Sequence, residues 1–132
     1  MDYKKKVSVA FLLLLMLTTA CMKVPARLPS SKYIIKVFPK KYTKSNPIIS
    51  GHTDELYPDG SYRPIGLAYI SVGKQGVKSD NDGNYSARVS PGKYDVSVRI
   101  IGYQPIVVKD VRISKKDSVR IDFHLSADTT KL

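Results

Sequence analysis

The fold is decided by residues 84–100, NYSARVSPGKYDVSVRI, in which apolar residues occupy every second position on both sides of Pro91-Gly92. A period of two places alternate side chains on opposite faces of a β-strand, so that one face is buried and the other meets water. The two runs therefore predict strands over 84–89 and 93–101, separated by a Pro-Gly break. The buried set predicted from them is Tyr85, Ala87, Val89, Tyr94, Val96, Val98 and Ile100.

The same period continues in both directions from this stretch, and glycine, proline and Asx residues separate the runs. Between residues 47 and 125 there is no 3.6-residue apolar stripe that would indicate a helix. A single sheet would leave half of its apolar side chains in water, so we expect two sheets packed face to face. The sequence predicts an all-β fold, a small antiparallel β-sandwich of seven strands. The other five strands are predicted near 47–53, 65–72, 77–79, 106–113 and 118–125, and the other core residues are Ile49, Ala68, Ile70, Val72, Val108, Ile121, Phe123 and Leu125.

Four segments of this region, in this order, resemble the carboxypeptidase regulatory-like domain. They are residues 64–72 (PIGLAYISV), 78–85 (KSDNDGNY), 91–94 (PGKY) and 101–103 (IGY). The resemblance covers residues 47–125 and implies a transthyretin-like sandwich, of the same general shape as an immunoglobulin domain. It also implies a non-catalytic role as a spacer, folding aid or interaction module, since the family occurs beside metallocarboxypeptidase domains and at the start of outer-membrane nutrient transporters.

Residues 1–20 are typical of an export signal. Lys4, Lys5 and Lys6 precede an uncharged apolar run over residues 7–17, which is shorter than the roughly 20 residues that span a bilayer. Residues 17–21, LTTAC, resemble the lipobox of bacterial lipoproteins, although threonine stands three before the cysteine, where the family usually has a large aliphatic residue. The resemblance implies cleavage between Ala20 and Cys21 and acylation of Cys21. The alternative is a plain secretory signal, which would leave a free thiol.

Most of the formal net charge of +11 lies before the predicted sandwich. Residues 21–46 contain seven basic residues and no acidic one, whereas residues 47–125 have a net charge of +2. We interpret 21–46 as a flexible basic tether that lies against anionic lipid headgroups or forms a solvated spacer, with 33–38 compatible with a short strand. The predicted organisation is a signal peptide (1–20), the lipidated cysteine and tether (21–46), the sandwich (47–125) and a C-terminal tail (126–132).

Composition and spacing argue against several kinds of chemistry. Nucleic-acid binding is not expected, because the charge lies in the tether of an exported chain and no reading module is present. The two histidines, His52 and His124, lack the spacing of a zinc site and are predicted as ordinary strand residues, so no metal or cofactor is expected. The acidic and amide residues of 80–84 favour a tight hairpin over a calcium loop, because Pro91 stands where the loop needs glutamate.

One long loop carries the candidate binding residues. Tyr57, Tyr62 and Arg63 lie within residues 54–63, where they form a possible contact site for carbohydrate or protein, or pack structurally. We expect a non-catalytic cell-envelope lipoprotein that presents its sandwich as an accessory, scaffolding or interaction module for an envelope protein or glycan. The alternative is a carbohydrate- or peptide-binding module that uses its loops. Because Met22 rather than an aspartate follows the cysteine, the expected location is the outer membrane, and the absence of acidic residues just after the cysteine favours an orientation toward the periplasm.

Overall fold

A computed structural model describes residues 29–40 and 45–130. The predicted signal peptide, its cleavage site at Ala20 and the lipidation site at Cys21 lie outside the described residues. Within the described ranges the chain forms nine strands and no helix. The strands are β1 (Lys32–Pro39), β2 (Ile48–Leu56), β3 (Tyr62–Pro64), β4 (Tyr69–Val72), β5 (Gln75–Lys78), β6 (Asn84–Arg88), β7 (Gly92–Arg99), β8 (Ile106–Ile113) and β9 (Asp117–Leu125).

The strands form two sheets, which confirms the predicted all-β sandwich. The first sheet has the order β1-β9-β2, and both β3 and β6 pair with the remaining edge of β2. The second sheet has the order β5-β4-β7-β8. All the pairs are antiparallel except β2 with β9, which run parallel, so the predicted antiparallel sandwich contains one parallel pair. Alternation within a strand fixes which face is buried but carries no information on the direction of the neighbouring strand.

The core lies between the two sheets and consists of the inward-facing apolar residues of both. All of the predicted core residues are buried except Tyr94 and Ile100, which are partly buried and pack against the core. Alternating burial in β6, β7 and β9 agrees with the period of two from which the strands were predicted. The structure adds five buried apolar residues that the prediction left out: Leu56, Ile106, Val111, Ile113 and Val119.

Two strands lie outside the seven predicted for the sandwich, so the count of seven is corrected to nine within the described residues. β3 is three residues long and exposed throughout, too short to show a period. β1 falls in the segment assigned to the tether, at the place where residues 33–38 are compatible with a short strand, and it pairs with β9 from Lys32 to Pro39. Its sequence, KYIIKVFP, does not alternate apolar with polar residues, and it lies in the most basic part of the chain.

The residues just before β1 are also held by the sandwich. The backbone N–H of Ser126 donates to Oγ of Ser31 at 2.8 Å, and the buried hydroxyl of Ser126 donates to the carbonyl of Pro29. At the other end of β1, the N–H of Lys40 donates to the carbonyl of Lys116 at 2.6 Å. The folded domain therefore includes residues 29–40, which the sequence analysis assigned to the tether.

The acidic turn before β6 has the chemistry that its sequence predicted but a different place in the fold. Asp80 Oδ1 accepts the N–H groups of Asp82 and Asn84 at 3.0 and 2.9 Å, and Gly83 has a φ of 84°. This is an Asx turn closed by a glycine in the left-handed region. It does not close a hairpin, because β5 before it and β6 after it belong to different sheets.

Candidate functional site

The three candidate residues, Tyr57, Tyr62 and Arg63, lie on the hairpin formed by β2 and β3. Tyr62 pairs with Leu56 and Arg63 pairs with Glu55 in the antiparallel register. Successive residues of a strand point to opposite faces, so Tyr62 and Arg63 project to opposite sides of the sheet. The structure brings Arg63 together with Tyr57 and places Tyr62 in a different environment.

Tyr57 belongs to a polar cluster around Glu55. Its hydroxyl donates to Oε2 of Glu55 at 2.9 Å, and the Arg63 guanidinium lies 4.5 Å from its ring centroid. The bond to Glu55 raises the pKa of the Tyr57 phenol. Burial and the same carboxylate raise the pKa of the half-buried Tyr103 phenol. Glu55 therefore interacts with two tyrosines, and this arrangement is not evident from the sequence because Tyr103 is far along the chain.

Tyr62 belongs to a second cluster, in which Asp54 lies between two histidines. Asp54 Oδ1 is 2.8 Å from Nδ1 of His52, and Oδ2 is 3.3 Å from Nδ1 of His124. The contact between Asp54 and His124 is within ion-pair distance, but among the described residues Nδ1 of His124 makes no hydrogen bond. The Tyr62 ring lies against the His124 ring at 4.4 Å between centroids, and Lys32 Nζ lies 5.4 Å from the Tyr62 centroid. This cluster therefore joins β1, β2, β3 and β9 on the outer face of their sheet.

The environment of His124 disfavours its charged form. The side chain is nearly buried, and burial lowers its pKa, an effect that Asp54 opposes and Lys32 reinforces. Asp122, two residues away on the same strand, also opposes it. The histidines lie on strands as the sequence predicted, but they are not isolated, since Asp54 contacts both.

These contacts define what the hairpin offers to a ligand. An aromatic ring binds a sugar or a peptide through an open face, and here a cation lies over each of the two rings. The hydroxyl of Tyr57 is also used within the chain, by Glu55. The predicted loop site is thus two separate intramolecular clusters, and a ligand that stacked on both tyrosines would have to contact both sides of the hairpin.

A concave surface lies elsewhere, on the outer face of the second sheet. It is a cleft of about 570 Å³ over β4, β7 and β8. The hydroxyls of Ser71 and Ser97 are 2.6 Å apart at its floor, and Arg99 and Val107 also line it. At one end, Lys93 lies 3.5 Å from Asp110, whose N–H donates to Asp95 at 3.0 Å. The cleft lining therefore combines hydroxyls with charges of both signs.

The backbone around this end of the cleft is irregular. The pairing of β7 with β8 shifts between Tyr94 and Val96, where Asp95 stands opposite both Lys109 and Asp110, so the extra residue is on β8. Asp110, in β8, has a φ of 59°, in the left-handed region that a residue with a Cβ rarely adopts. Bulges of this kind redirect side chains at the surface of a sheet, and here they bring two carboxylates to the cleft. No signal in the sequence singled out these residues.

Among residues 29–40 and 45–130, no group of three histidine, cysteine, aspartate or glutamate side chains is placed to hold a metal ion. The same part of the chain contains no helix that is long and apolar enough to cross a bilayer.

Comparison with known families supports the architecture described above. The sequence matches the carboxypeptidase regulatory-like domain over residues 58–126, just over half of the chain. The chain belongs to the carboxypeptidase regulatory-like domain family. This confirms the resemblance inferred from the four sequence segments. A search of curated proteins found none that matches the chain.

The family match and the ordered domain have different limits. The carboxypeptidase regulatory-like match begins at Pro58, so it includes β3–β9 but neither β1 nor β2. In the fold, β2 is the central strand of the first sheet and β1 is its edge. β1 and β2 therefore belong to the fold but lie outside the matched region. Of the nine described strands, β1 is the one nearest in sequence to the predicted lipidation site at Cys21.

Proposed function

We propose that the protein is a non-catalytic cell-envelope lipoprotein that presents its carboxypeptidase regulatory-like sandwich as an accessory or interaction module. The observation that carries this proposal is the position of the only cysteine, Cys21, directly after an apolar run and small residues. Acylation would give it two or three chains, which hold a protein stably at a membrane where a single chain does not. Met22 after the cysteine supports a location at the outer membrane, facing the periplasm.

The fold supports a role in presentation. The first described residue, Pro29, is eight positions after Cys21, and the chain enters the first sheet three residues later at Lys32. Family membership supports an accessory or interaction role, because the family resemblance implies a spacer, folding aid or interaction module. The partner in this proposal is an envelope protein or glycan, with the membrane bound through the lipid.

The test is the intact mass of protein extracted from membranes, compared with a Cys21→Ser variant. The expected result is a chain that begins at residue 21 with added acyl mass, and loss of both the added mass and the membrane fraction in the variant. A mature chain without acyl mass, found in the soluble fraction, would contradict the anchor and leave a secreted sandwich.

The cleft favours a second candidate function, the binding of a carbohydrate. Its volume of about 570 Å³ falls within the range of small-ligand sites, and hydroxyls with charged groups are suited to hydroxyl-rich ligands. Glycan-array binding by the chain 21–132 would test it. We expect loss of binding in Arg99→Ala and retention in Tyr57→Ala; the reverse pattern would assign binding to the β2–β3 hairpin instead.

A further inference from the structure

Strand β1 exposes an unusual amount of apolar surface. All eight of its residues are exposed, and its five large apolar side chains are each between 42% and 56% exposed. β1 pairs with β9 along one edge, and its other edge is unpaired within the part of the chain that the structure describes. An exposed apolar edge strand is a surface that a partner normally covers. The five residues are Tyr33, Ile34, Ile35, Val37 and Phe38.

The side chains of β1 form two rows with different chemistry. Tyr33, Ile35 and Val37 pair with core residues of β9, so they lie on the inner face of the sheet, where the second sheet leaves them uncovered. On the outer face, Lys32 and Lys36 alternate with apolar residues. The strand therefore has an apolar row on its inner face and a row that carries positive charge on its outer face.

The positive charge of β1 favours an anionic lipid surface over a second copy of the chain as the partner. In an antiparallel pair of β1 strands from two copies, the lysines of both would lie in one sheet, and each copy carries seven basic and no acidic residues over 21–46. Like charges that stand directly opposite each other in paired strands are destabilising. An anionic lipid surface has the complementary charge, and its interfacial region accepts apolar and aromatic side chains while lysine ammonium groups stay at the headgroups.

The length of chain before β1 favours the same partner, and this step rests on the proposed function. Lys32 is eleven residues after Cys21. An acylated Cys21 would therefore keep the start of β1 within about 40 Å of the lipid, since a fully extended residue spans at most about 3.6 Å. Among the strands, β1 is the nearest along the chain to the anchor.

We infer that β1 is a membrane-contact strand, which seats its apolar row in the interface of an anionic bilayer with Lys32 and Lys36 at the phosphate level. The contact would orient the sandwich with the β1 edge toward the lipid.

The experiment uses the chain 21–132 with Cys21→Ser, so that no acyl chain contributes. Because the protein has no tryptophan, Tyr33→Trp places a single reporter on β1. Tyr69→Trp is the matched control, since Tyr69 is 48% exposed against 44% for Tyr33 and lies on β4. Each of the two tryptophan variants is mixed with phosphatidylcholine vesicles, with and without phosphatidylglycerol. We expect a blue shift and quenching by brominated lipid for Tyr33→Trp with the anionic vesicles only, and neither for Tyr69→Trp.

Paired variants test each row of the strand in vesicle sedimentation. Lys36→Gln should weaken binding about fivefold, whereas Lys78→Gln on exposed β5 should not. Val37→Thr should weaken it about threefold through the lost apolar contact, whereas Ile101→Thr, at a fully exposed residue between β7 and β8, should leave it unchanged. Added salt should weaken binding of the parent chain.

Three results would overturn the inference. The first is an absence of binding to anionic vesicles, and the second is an equal response of Tyr33→Trp and Tyr69→Trp. The third is a concentration-dependent dimer in ultracentrifugation that Val37→Thr abolishes, which would assign β1 to a second copy. None of these results depends on acylation, and the intact-mass test of Cys21 does not depend on β1, so the two proposals fail separately.

Discussion

Gly51 lies on β2, between β6 and β9, and the fold requires a residue without a side chain at this position. It pairs with Tyr85 of β6, whose hydroxyl donates to the carbonyl of Ile121 in β9 at 2.6 Å. A Cβ at position 51 would lie 1.8 Å from that carbonyl oxygen and 2.8 Å from the tyrosine oxygen. Burial raises the pKa of the Tyr85 phenol, so the group stays a neutral donor.

Gly51→Ala should therefore lower the free energy of unfolding by about 3 kcal/mol or more, because two strands must separate to accept the methyl group. Gly92→Ala is the control, since a Cβ there would meet its nearest neighbour at 3.6 Å, an ordinary contact. We expect the control to change stability by less than about 0.5 kcal/mol in urea unfolding. Equal effects of the two substitutions would contradict the steric argument.

Thr53 is fully buried and satisfies its polar groups within the chain. Its hydroxyl lies 2.6 Å from the carbonyl of Ile65 and 3.1 Å from that of Gly83. Thr53→Val keeps the shape of the side chain and removes these bonds, and it should cost about 1–3 kcal/mol of stability. Thr130→Val, in the exposed tail, should have little effect in the same measurement. A neutral Thr53→Val would show that water replaces the lost bonds.

His124 makes stability depend on pH. Burial lowers its pKa in the folded chain, whereas the unfolded chain titrates near the ordinary value of about 6.5. The unfolded chain therefore binds the proton more readily, and the stabilisation that is present above about pH 6.5 is lost as the pH falls from there through the folded-state pKa. Unfolding free energies at about pH 7.5 and about pH 5.5 should show this loss, and His124→Gln should reduce it. If His52→Gln removed the loss instead, His124 would not be its source.

At the scale of single elements, β1 differs from its neighbour. The inner face of β9 is buried between the two sheets, whereas β1 is exposed throughout. β1 is held by its pairing with β9 and by the hydrogen bond between Ser31 and Ser126 just before it. Elements with little buried surface open locally at low cost. The strand should therefore be the first part of the described sheets to exchange its amide hydrogens.

Hydrogen exchange followed by mass spectrometry should show faster exchange in β1 than in β9. Ser126→Ala should speed exchange further at the start of β1, since it removes the bond to Pro29. Ser90→Ala, at an exposed residue before β7, should leave β1 unchanged. If β1 and β9 exchange together, β1 is a full part of the cooperative core and its exposure does not reflect its stability.

At the scale of the whole molecule, the boundary of the folded unit is set by β1 and not by the start of the predicted sandwich. A chain that begins at Pro47 would lack the strand that pairs with β9 and would expose that edge. We expect it to be less stable than the chain 21–132 by about 2 kcal/mol or more in urea unfolding, and to associate through the bare edge of β9. Equal stability of the two chains would show that β1 adds nothing to the fold.

Several features of this protein follow from the sequence alone. The period of two between residues 47 and 125 determined an all-β fold and most of its core, because alternate burial depends only on the geometry of one strand. The residues of 80–84 determined a turn, because Asp80 and Gly83 act locally. The family followed from four short segments in a fixed order, and the match over 58–126 bears it out.

Other features were decided only by the tertiary structure. The two histidines share Asp54, and Tyr57 and Tyr103 share Glu55, because pairing brings together strands that are distant in sequence. The parallel direction of β2 and β9 and the place of β1 at the edge are likewise properties of neighbours, which no strand encodes by itself. Burial within a strand is local and can be predicted from its own residues, whereas a contact between strands depends on which edges meet, and only the folded chain determines that.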